Sequence, residues 1–419
     1  MVGKQGFRTL VPLVGGLLMM APAPELEAQT CEPSWTVEET LRIGSIDGDV
    51  TLTEVLDLKL GPGGEILLAQ SMTPEVLVLS PEGEPIRTVG RAGDGPGEFS
   101  VSVNRLGYSG DELWVSHFTG LEIFNENEEP LRSIRFRAVE PEQSSVFTPG
   151  FLLADGTVVG NRQIVLTRDD RGAGFFGTDP APLMRFSPSG AVVDTIAMIE
   201  RAPTWVVEEL LAEHPLHGWH DLSWLPVTAS PDGASVVLTG NVQVAGGQSS
   251  FELLTIGIEG DTLLQRSISY EPKPVTRTQR DRLREEFAAY HAGDFSPSRG
   301  QGPGQPQDGP AMERRRQEAR DAISFPEFHP PVRKVVAGHD GSMWLLRELT
   351  EDRIDHWEVY DAGGERIGTL HVGEGRSSEL PWGPRMRILR ATTEEVWATT
   401  LGEYDVPLVH RYQVIRGCQ

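Results

Sequence analysis

The chain has 419 residues, 61 Asp and Glu against 37 Lys and Arg, and a formal charge of -24 at pH 7. So acidic a surface repels phosphate backbones and excludes general nucleic-acid binding. With 46 glycines, 31 prolines and Val/Ile/Leu/Trp clusters between them, the composition predicts an all-β chain with many turns.

Residues 1–28 have the layout of a secretory signal: Lys4 and Arg8, an apolar run from Leu10 to Ala21, then Pro22, Pro24 and small residues near Ala28. The run is too short and too interrupted by Gly and Pro to span a bilayer, and no later window offers about twenty consecutive apolar residues. An uncleaved anchor is the alternative. The mature chain, 29–419, is expected to be periplasmic or secreted, with no stable membrane span. Its charge stays at -24, because Lys4 and Arg8 cancel Glu25 and Glu27. Only Cys31 and Cys418 remain as thiols, one at each end. In an oxidising compartment they are expected to form a disulfide, worth about 4 to 5 kcal/mol on the chain-entropy account. Two unpaired thiols, or lipidation of Cys31 behind the poor lipobox Ala28-Gln29-Thr30, are the other readings.

A unit of about 40 to 50 residues then recurs: strand, Gly/Asp turn, second strand, third strand, Gly turn, fourth strand. The first copy runs Val55 to Leu60, Ile66 to Ala69, Val76 to Ser80 and Pro85 to Val89, and the second has Leu106, Leu113 to Ser116, Leu121 to Asn125 and Leu131 to Phe136. The third has Phe151 to Ala154, Val158 to Gly160, Leu183 to Ser187 and Val192 to Ile199; the fourth, Val227 to Ser230, Val236 to Thr239, Phe251 to Ile258 and Thr262 to Tyr270. The fifth has Val332 to Ala337, Met343 to Leu346, His356 to Tyr360 and Arg366 to Val372; the sixth, Ile388 to Ala391, Val396 to Thr399 and Val406 to Ile415. Six such units arranged radially bury both faces of every sheet and leave short edges. Trp35 to Ile46 is the natural donor of a strand that closes the circle beside the sixth unit, and a Cys31–Cys418 bridge would pin that closure.

The tract Val89-Gly90-Arg91-Ala92-Gly93-Asp94-Gly95-Pro96-Gly97-Glu98-Phe99 resembles the blade-to-blade linker of NHL-repeat propellers, in which glycines turn the chain and an aromatic packs beneath. Val372-Gly373-Glu374-Gly375 echoes it without the Gly-Glu-Phe ending. No Lys-Ser/Thr and no helix follow, so a phosphate-binding loop is disfavoured. The chain is thus similar to exported bacterial six-bladed β-propellers of the NHL-repeat-like and TolB-like kind. The resemblance implies four-stranded blades and places the longer insertions on the top face. Those insertions are about 200–223 and 271–331. The second carries helical pattern from Thr276 to His291, with Thr278 and Asp281 as an approximate capping box, and from Ala311 to Ile323, giving a helical insertion between blades four and five. Thr204 to Ala212 is a short helix candidate in the first. The two either cap the channel or decorate one rim.

Aligning the units on their second strands puts Gln70, His117, Arg162, Asn241, Arg347 and Thr400 at equivalent ends around the top of the channel, with Arg333 and Arg387 near the starts of first strands. Arginine forks match carboxylate, sulfate or sugar-acid groups, although ordinary ion pairs with acidic loops would use the same residues. His214, His217 and His220, with Asp221, suit a divalent metal, but Pro215 and Gly218 interrupt any helix that would align them, and a solvated loop is the competing reading. Trp114, Trp344 and Trp397 occupy matching second-strand positions and read as packing between blades. Trp205, Trp219 and Trp224 either stack on a ligand or close the insertion's own core.

Two functions follow from the resemblance. One is a non-enzymatic exported propeller binding a small anionic ligand, a glycan or an envelope protein at its top face, with no cofactor. The other is a lyase or lactone hydrolase on the same scaffold, using His117 and arginines, or a metal. The six-residue ring is a poor metal cage, and no Gly-x-Ser-x-Gly or His-Glu-x-x-His motif is present, so binding is favoured.

Overall fold

The computed structural model describes residues 33–45, 50–71, 73–99, 102–117, 120–135, 145–164, 181–199, 206–207, 226–244, 249–292, 310–324, 327–347, 354–373 and 386–418. The signal segment and Cys31 lie outside them. The first described strand is β1 (Pro33–Ile43), whose partners come from the far end of the chain.

Next comes an antiparallel sheet of β2 (Val55–Leu60), β3 (Ile66–Gln70), β4 (Val76–Leu79) and β5 (Pro85–Val89). A small parallel pair, β6 (Arg91–Ala92) and β7 (Glu98–Phe99), leads to the second sheet: β8 (Val103–Ser109), β9 (Glu112–His117), β10 (Gly120–Phe124) and β11 (Pro130–Arg135). The third holds β12 (Ser145–Leu152), β13 (Val158–Ile164), β14 (Ala181–Phe186) and β15 (Val192–Ile199). After β16 (Val206–Val207) the fourth follows, with β17 (Val227–Ala229), β18 (Ser235–Gln243), β19 (Ser249–Gly257) and β20 (Thr262–Tyr270).

Between β20 and the next sheet run helices α1 (Arg277–Ala292) and α2 (Pro310–Ala322) and strand β21 (Ile323–Ser324). The remaining strands are β22 (Lys334–Ala337), β23 (Met343–Leu346), β24 (Asp355–Tyr360), β25 (Arg366–Val372), β26 (Arg387–Ala391), β27 (Glu395–Leu401) and β28 (Pro407–Cys418). They form one eight-stranded sheet with β1, in the order β22-β23-β24-β25-β1-β28-β27-β26.

The hairpins have a local cause. Asp155 accepts from the Thr157 N–H at 2.9 Å, Asp361 from the Gly363 and Glu365 N–H groups at 2.9 Å, and Asn125 from Asn127 and Glu129 at 2.9 Å. Each short side chain closes its own turn and frees the flanking apolar residues for the ladders.

β1 joins the two halves of the eight-stranded sheet. It pairs antiparallel with β28, from Pro33 opposite Cys418 to Ile43 opposite Val409, and parallel with β25 at Ser34–Thr369 and Trp35–Leu370. Trp35 lies over Gly368, where an added Cβ would sit 2.2 Å from the indole, and meets Trp344 edge to face at 5.7 Å. Only a glycine admits the ring at this spot.

Buried side chains gather in five clusters that follow one another round the molecule. Val78, Phe99 and Leu113 pack the first sheet on the second; Trp114, Phe151 and Val236 join the second, third and fourth; Phe251, Val335 and Tyr360 join the fourth to β22–β24. Trp35, Trp357 and Ile388 join the halves of the eight-stranded sheet, and Ile43, Trp397 and Leu58 return to the first sheet. Sheets packed face to face in a closed circuit make the fold propeller-like.

Two expectations about the insertions are corrected. Val206 and Val207 are not helical; they pair antiparallel with Ser324 and Ile323, as two adjacent β-branched residues favour once an extended partner is available. The cap of α1 is Thr276 with Gln279 rather than Thr278 with Asp281: the Thr276 Oγ1 accepts the Gln279 N–H at 3.2 Å, and the Gln279 Oε1 accepts the Thr276 N–H at 2.8 Å. No helix among the described residues is long and apolar enough to cross a membrane.

Candidate functional site: a cation-lined axial cavity

Strands β2, β8, β12, β17, β22 and β26, each the first of an antiparallel run, all line one cavity of about 90 Å³. Its charged lining is Lys59, Arg105, Lys334, Arg387 and Arg390 against a single carboxylate, Asp57, with His339 at one end. A concentration of positive charge on the axis of a chain of charge -24 is the reverse of what its surface presents.

Most of these cations are engaged. Lys59 Nζ lies 3.2 Å from Asp57, whose other oxygen accepts the Leu106 N–H at 3.1 Å and so ties the first sheet to the second. Arg387 Nη2 donates to the Leu56 carbonyl at 3.0 Å, and Lys334 Nζ to the Ile388 carbonyl at 2.9 Å, both across neighbouring first strands. The Arg105 guanidinium stacks over Phe151 at 4.5 Å. Arg390 differs: no hydrogen bond or ion pair from the described residues reaches its side chain, and its buried Nε has no acceptor. Burial pulls its pKa below the ordinary arginine value, against the field of Glu395, yet arginine stays charged. His339 is held below the usual imidazole value, first by partial burial of its ring and then by the charges of Arg390 and Lys59.

Of the eight residues singled out from the sequence, Arg387 lines the cavity. The others whose side chains are described are held within their own sheets or by a neighbouring loop. Gln70 is buried, accepting from the Thr53 N–H at 2.9 Å. Arg347 donates to Glu358 at 2.9 Å and lies over Phe251 at 4.9 Å; Asn241, in the left-handed region at φ +49°, donates to Glu252. Thr400 lies 2.7 Å from His410 Nε2, and His410 Nδ1 donates to Glu39 at 2.7 Å, so this chain stitches β27, β28 and β1 together. Arg333 gives its backbone N–H to Leu346 at 2.8 Å. Arg162 stands opposite Phe147 in the third sheet, its side chain outside the described residues.

His117 is 1% exposed, packed edge-on against Phe99 at 5.7 Å. Its Nε2 lies 2.7 Å from Arg135 Nη1; since arginine only donates, Nε2 accepts. Beside it Glu122, fully buried, accepts from the Gly97 N–H at 3.0 Å and from Ser133 Oγ at 2.7 Å, and pairs with Arg135 Nη2 at 2.6 Å. Burial pushes the Glu122 pKa up, but the Gly97 N–H, Ser133 and the Arg135 charge outweigh it and hold the group below the usual carboxylate range. The network anchors the Gly-rich linker: Gly90 sits at φ +76°, with a would-be Cβ 2.2 Å from the Phe99 ring. A base for solvent-borne substrate must be reachable, and this imidazole is closed in.

His214, His217 and His220 lie outside the described residues, and among the described residues no group of three or more His, Cys, Asp or Glu is placed to hold a metal. Cys418 stands opposite Pro33, two residues after Cys31. The cavity cations Lys59, Arg105, Lys334 and Arg390 were not foreseen, because the repeat alignment followed second strands. The available signal was a basic residue on four of the six first strands of an acidic chain.

No protein-family model and no curated protein matches the sequence. Among solved structures, the chain is similar to a candidate exported protein of Bacteroides fragilis (9% identity, 91% of this chain and 95% of that one, TM-score 0.45). It is also similar to a gluconolactonase of Xanthomonas campestris (10%, 87% and 89%, 0.38) and to virginiamycin B lyase of Staphylococcus aureus (10%, 91% and 100%, 0.40). On its own strand order and circular core, the chain is an all-β protein of propeller-like fold whose sheets enclose a cation-lined axial cavity.

Proposed function

We propose that this is an exported, six-bladed propeller that binds a small anionic ligand in its axial cavity without transforming it. The blade count rests on taking the eight-stranded sheet as two blades welded by β1, which agrees with six first strands lining one cavity. Export rests on the signal-like residues 1–28, and the Cys31–Cys418 bridge is part of the same reading.

The observation that carries the binding function is Arg390, a part-buried guanidinium with no hydrogen-bond or ion-pair partner among the described residues, facing a cavity with one carboxylate. A buried charge without a partner is costly, and an anionic ligand offsets that cost with charge-assisted hydrogen bonds. A lyase or lactone hydrolase built on His117 has less support, since that ring is sealed under Phe99. A glycan or an envelope protein would have to sit on the rim rather than in so small a space.

Calorimetric titration with simple anions at low ionic strength tests the reading. Saturable binding of one anion per chain is expected, weakened by Arg390→Ala. If no anion binds with Kd below about 1 mM (roughly -4 kcal/mol), the function is not anion binding.

A further inference from the structure

Resting on the anion-binding reading, we infer that the ligand is a compact oxyanion of a few non-hydrogen atoms, such as sulfate, phosphate or acetate, bound where the first strands finish, between Arg390, Lys59 and His339.

Size is the first argument. Pockets for drug-sized ligands hold about 300 Å³ or more, and an engineered cavity of about 150 Å³ takes one benzene. A cavity of about 90 Å³ is smaller than either. It accommodates an ion of about five heavy atoms and excludes a sugar acid.

The second argument is which donors remain. Near the starts of the first strands, Arg387 and Lys334 spend hydrogen bonds on the Leu56 and Ile388 carbonyls. At the finishing end, Arg390 stands opposite Trp397 near the close of β26, Lys59 opposite Leu67 near the close of β2, and His339 in the turn after β22. Arg390, Lys59 and His339 line the same cavity. Lys59 shares its charge with Asp57, and Arg390 shares its own with no carboxylate in the lining. This end is opposite the ring of second-strand termini that the sequence pointed to, since Val55, at the start of β2, pairs with Gln70. A planar guanidinium meets two oxygens of a sulfate or carboxylate at once, and the lysine adds a point charge.

The experiment titrates the full mature chain with sodium sulfate, potassium phosphate, sodium acetate and sodium gluconate, each against sodium chloride of equal ionic strength, by calorimetry and thermal shift. One of the three compact oxyanions should saturate a single site and raise Tm, with gluconate at least about tenfold weaker (about 1.4 kcal/mol). Arg390→Gln should weaken it at least tenfold, and Lys59→Met, the substitute should the first variant fail to fold, at least threefold. Arg132→Gln, an exposed outer-strand cation paired with Glu112, should change it less than twofold. Gluconate binding as tightly as the compact anions, or Arg390→Gln and Lys59→Met both binding like wild type, overturns this inference and leaves anion binding standing. No response to any anion beyond chloride overturns both.

Discussion

Removing the Glu122 carboxylate should cost more stability than any other single surface-remote polar change in the second sheet. The group is fully buried, accepts from the Gly97 N–H at 3.0 Å and Ser133 Oγ at 2.7 Å, and forms an ion pair with Arg135 Nη2 at 2.6 Å. Stranding one buried partner costs about 1 to 3 kcal/mol, and breaking a buried charged pair about 3 to 5 kcal/mol. Arg135 is 39% exposed and recovers part of its solvation, which puts Glu122→Ala near the lower bound, about 3 kcal/mol. Glu122→Gln keeps an oxygen for Gly97 but turns an amide donor towards Arg135 or Ser133, for a loss of about 2 kcal/mol. Urea denaturation of wild type and both variants measures these values by linear extrapolation. The acid limb gives a second readout. Because the folded carboxyl titrates below its ordinary 4.5, its contribution is complete above that value and is lost as pH falls through the lower folded one. Glu122→Gln should therefore lose less stability than wild type below pH 4.5. A loss under 1 kcal/mol for Glu122→Ala, or identical acid limbs, would refute the account of the network.

Gly90→Ala puts a methyl 2.2 Å from Phe99 in a left-handed conformation, and should lower stability by about 2 to 4 kcal/mol in the same urea assay, with Gly110→Ala, where nothing lies within 4 Å, losing only the backbone term of about 1 kcal/mol. His356 is driven down to about 4 by burial and by His371, at 4.5 Å between rings, so the unfolded chain takes up this proton first and stability falls as pH drops from 6.5 towards 4. His356→Gln should flatten that interval by at most about 3 kcal/mol, and an unchanged slope in thermal melts from pH 7 to 4 would argue against it. Mass spectrometry of the non-reduced mature protein should find Cys31 and Cys418 in one bridge, and Cys418→Ser should lower Tm, the chain-entropy ceiling being about 4 to 5 kcal/mol; two alkylatable thiols in the native protein would disprove the pairing.

The strands were legible because their signals are local: an Asp or Gly turn closes on its own backbone, and Trp114, Trp344 and Trp397, at 5%, 0% and 2% exposure, are the interior residues their repeated positions implied. The partners of the second-strand ends were not legible in the same way. Arg347, Asn241 and His117 meet Glu358, Glu252 and Glu122 of the adjacent strand, and cross-strand register is not written in either strand alone. The axial cations were hidden for a related reason. Lys59, Arg105 and Arg390 are far apart in the chain and become neighbours only when the circle closes.

The placement of β1 fixes an order of events. Among the described residues, β1 finds its hydrogen-bond partners in β25 and β28, more than three hundred residues later. Until that far end has been made, β1 must wait with Trp35 in water, and the contact that completes the circle is among the longest-range the chain can form. Long-range pairings of this kind close slowly. A chain threaded through a translocation pore N-terminus first would thus stay incompletely folded throughout its passage and lock only on the far side, when its last dozen residues arrive.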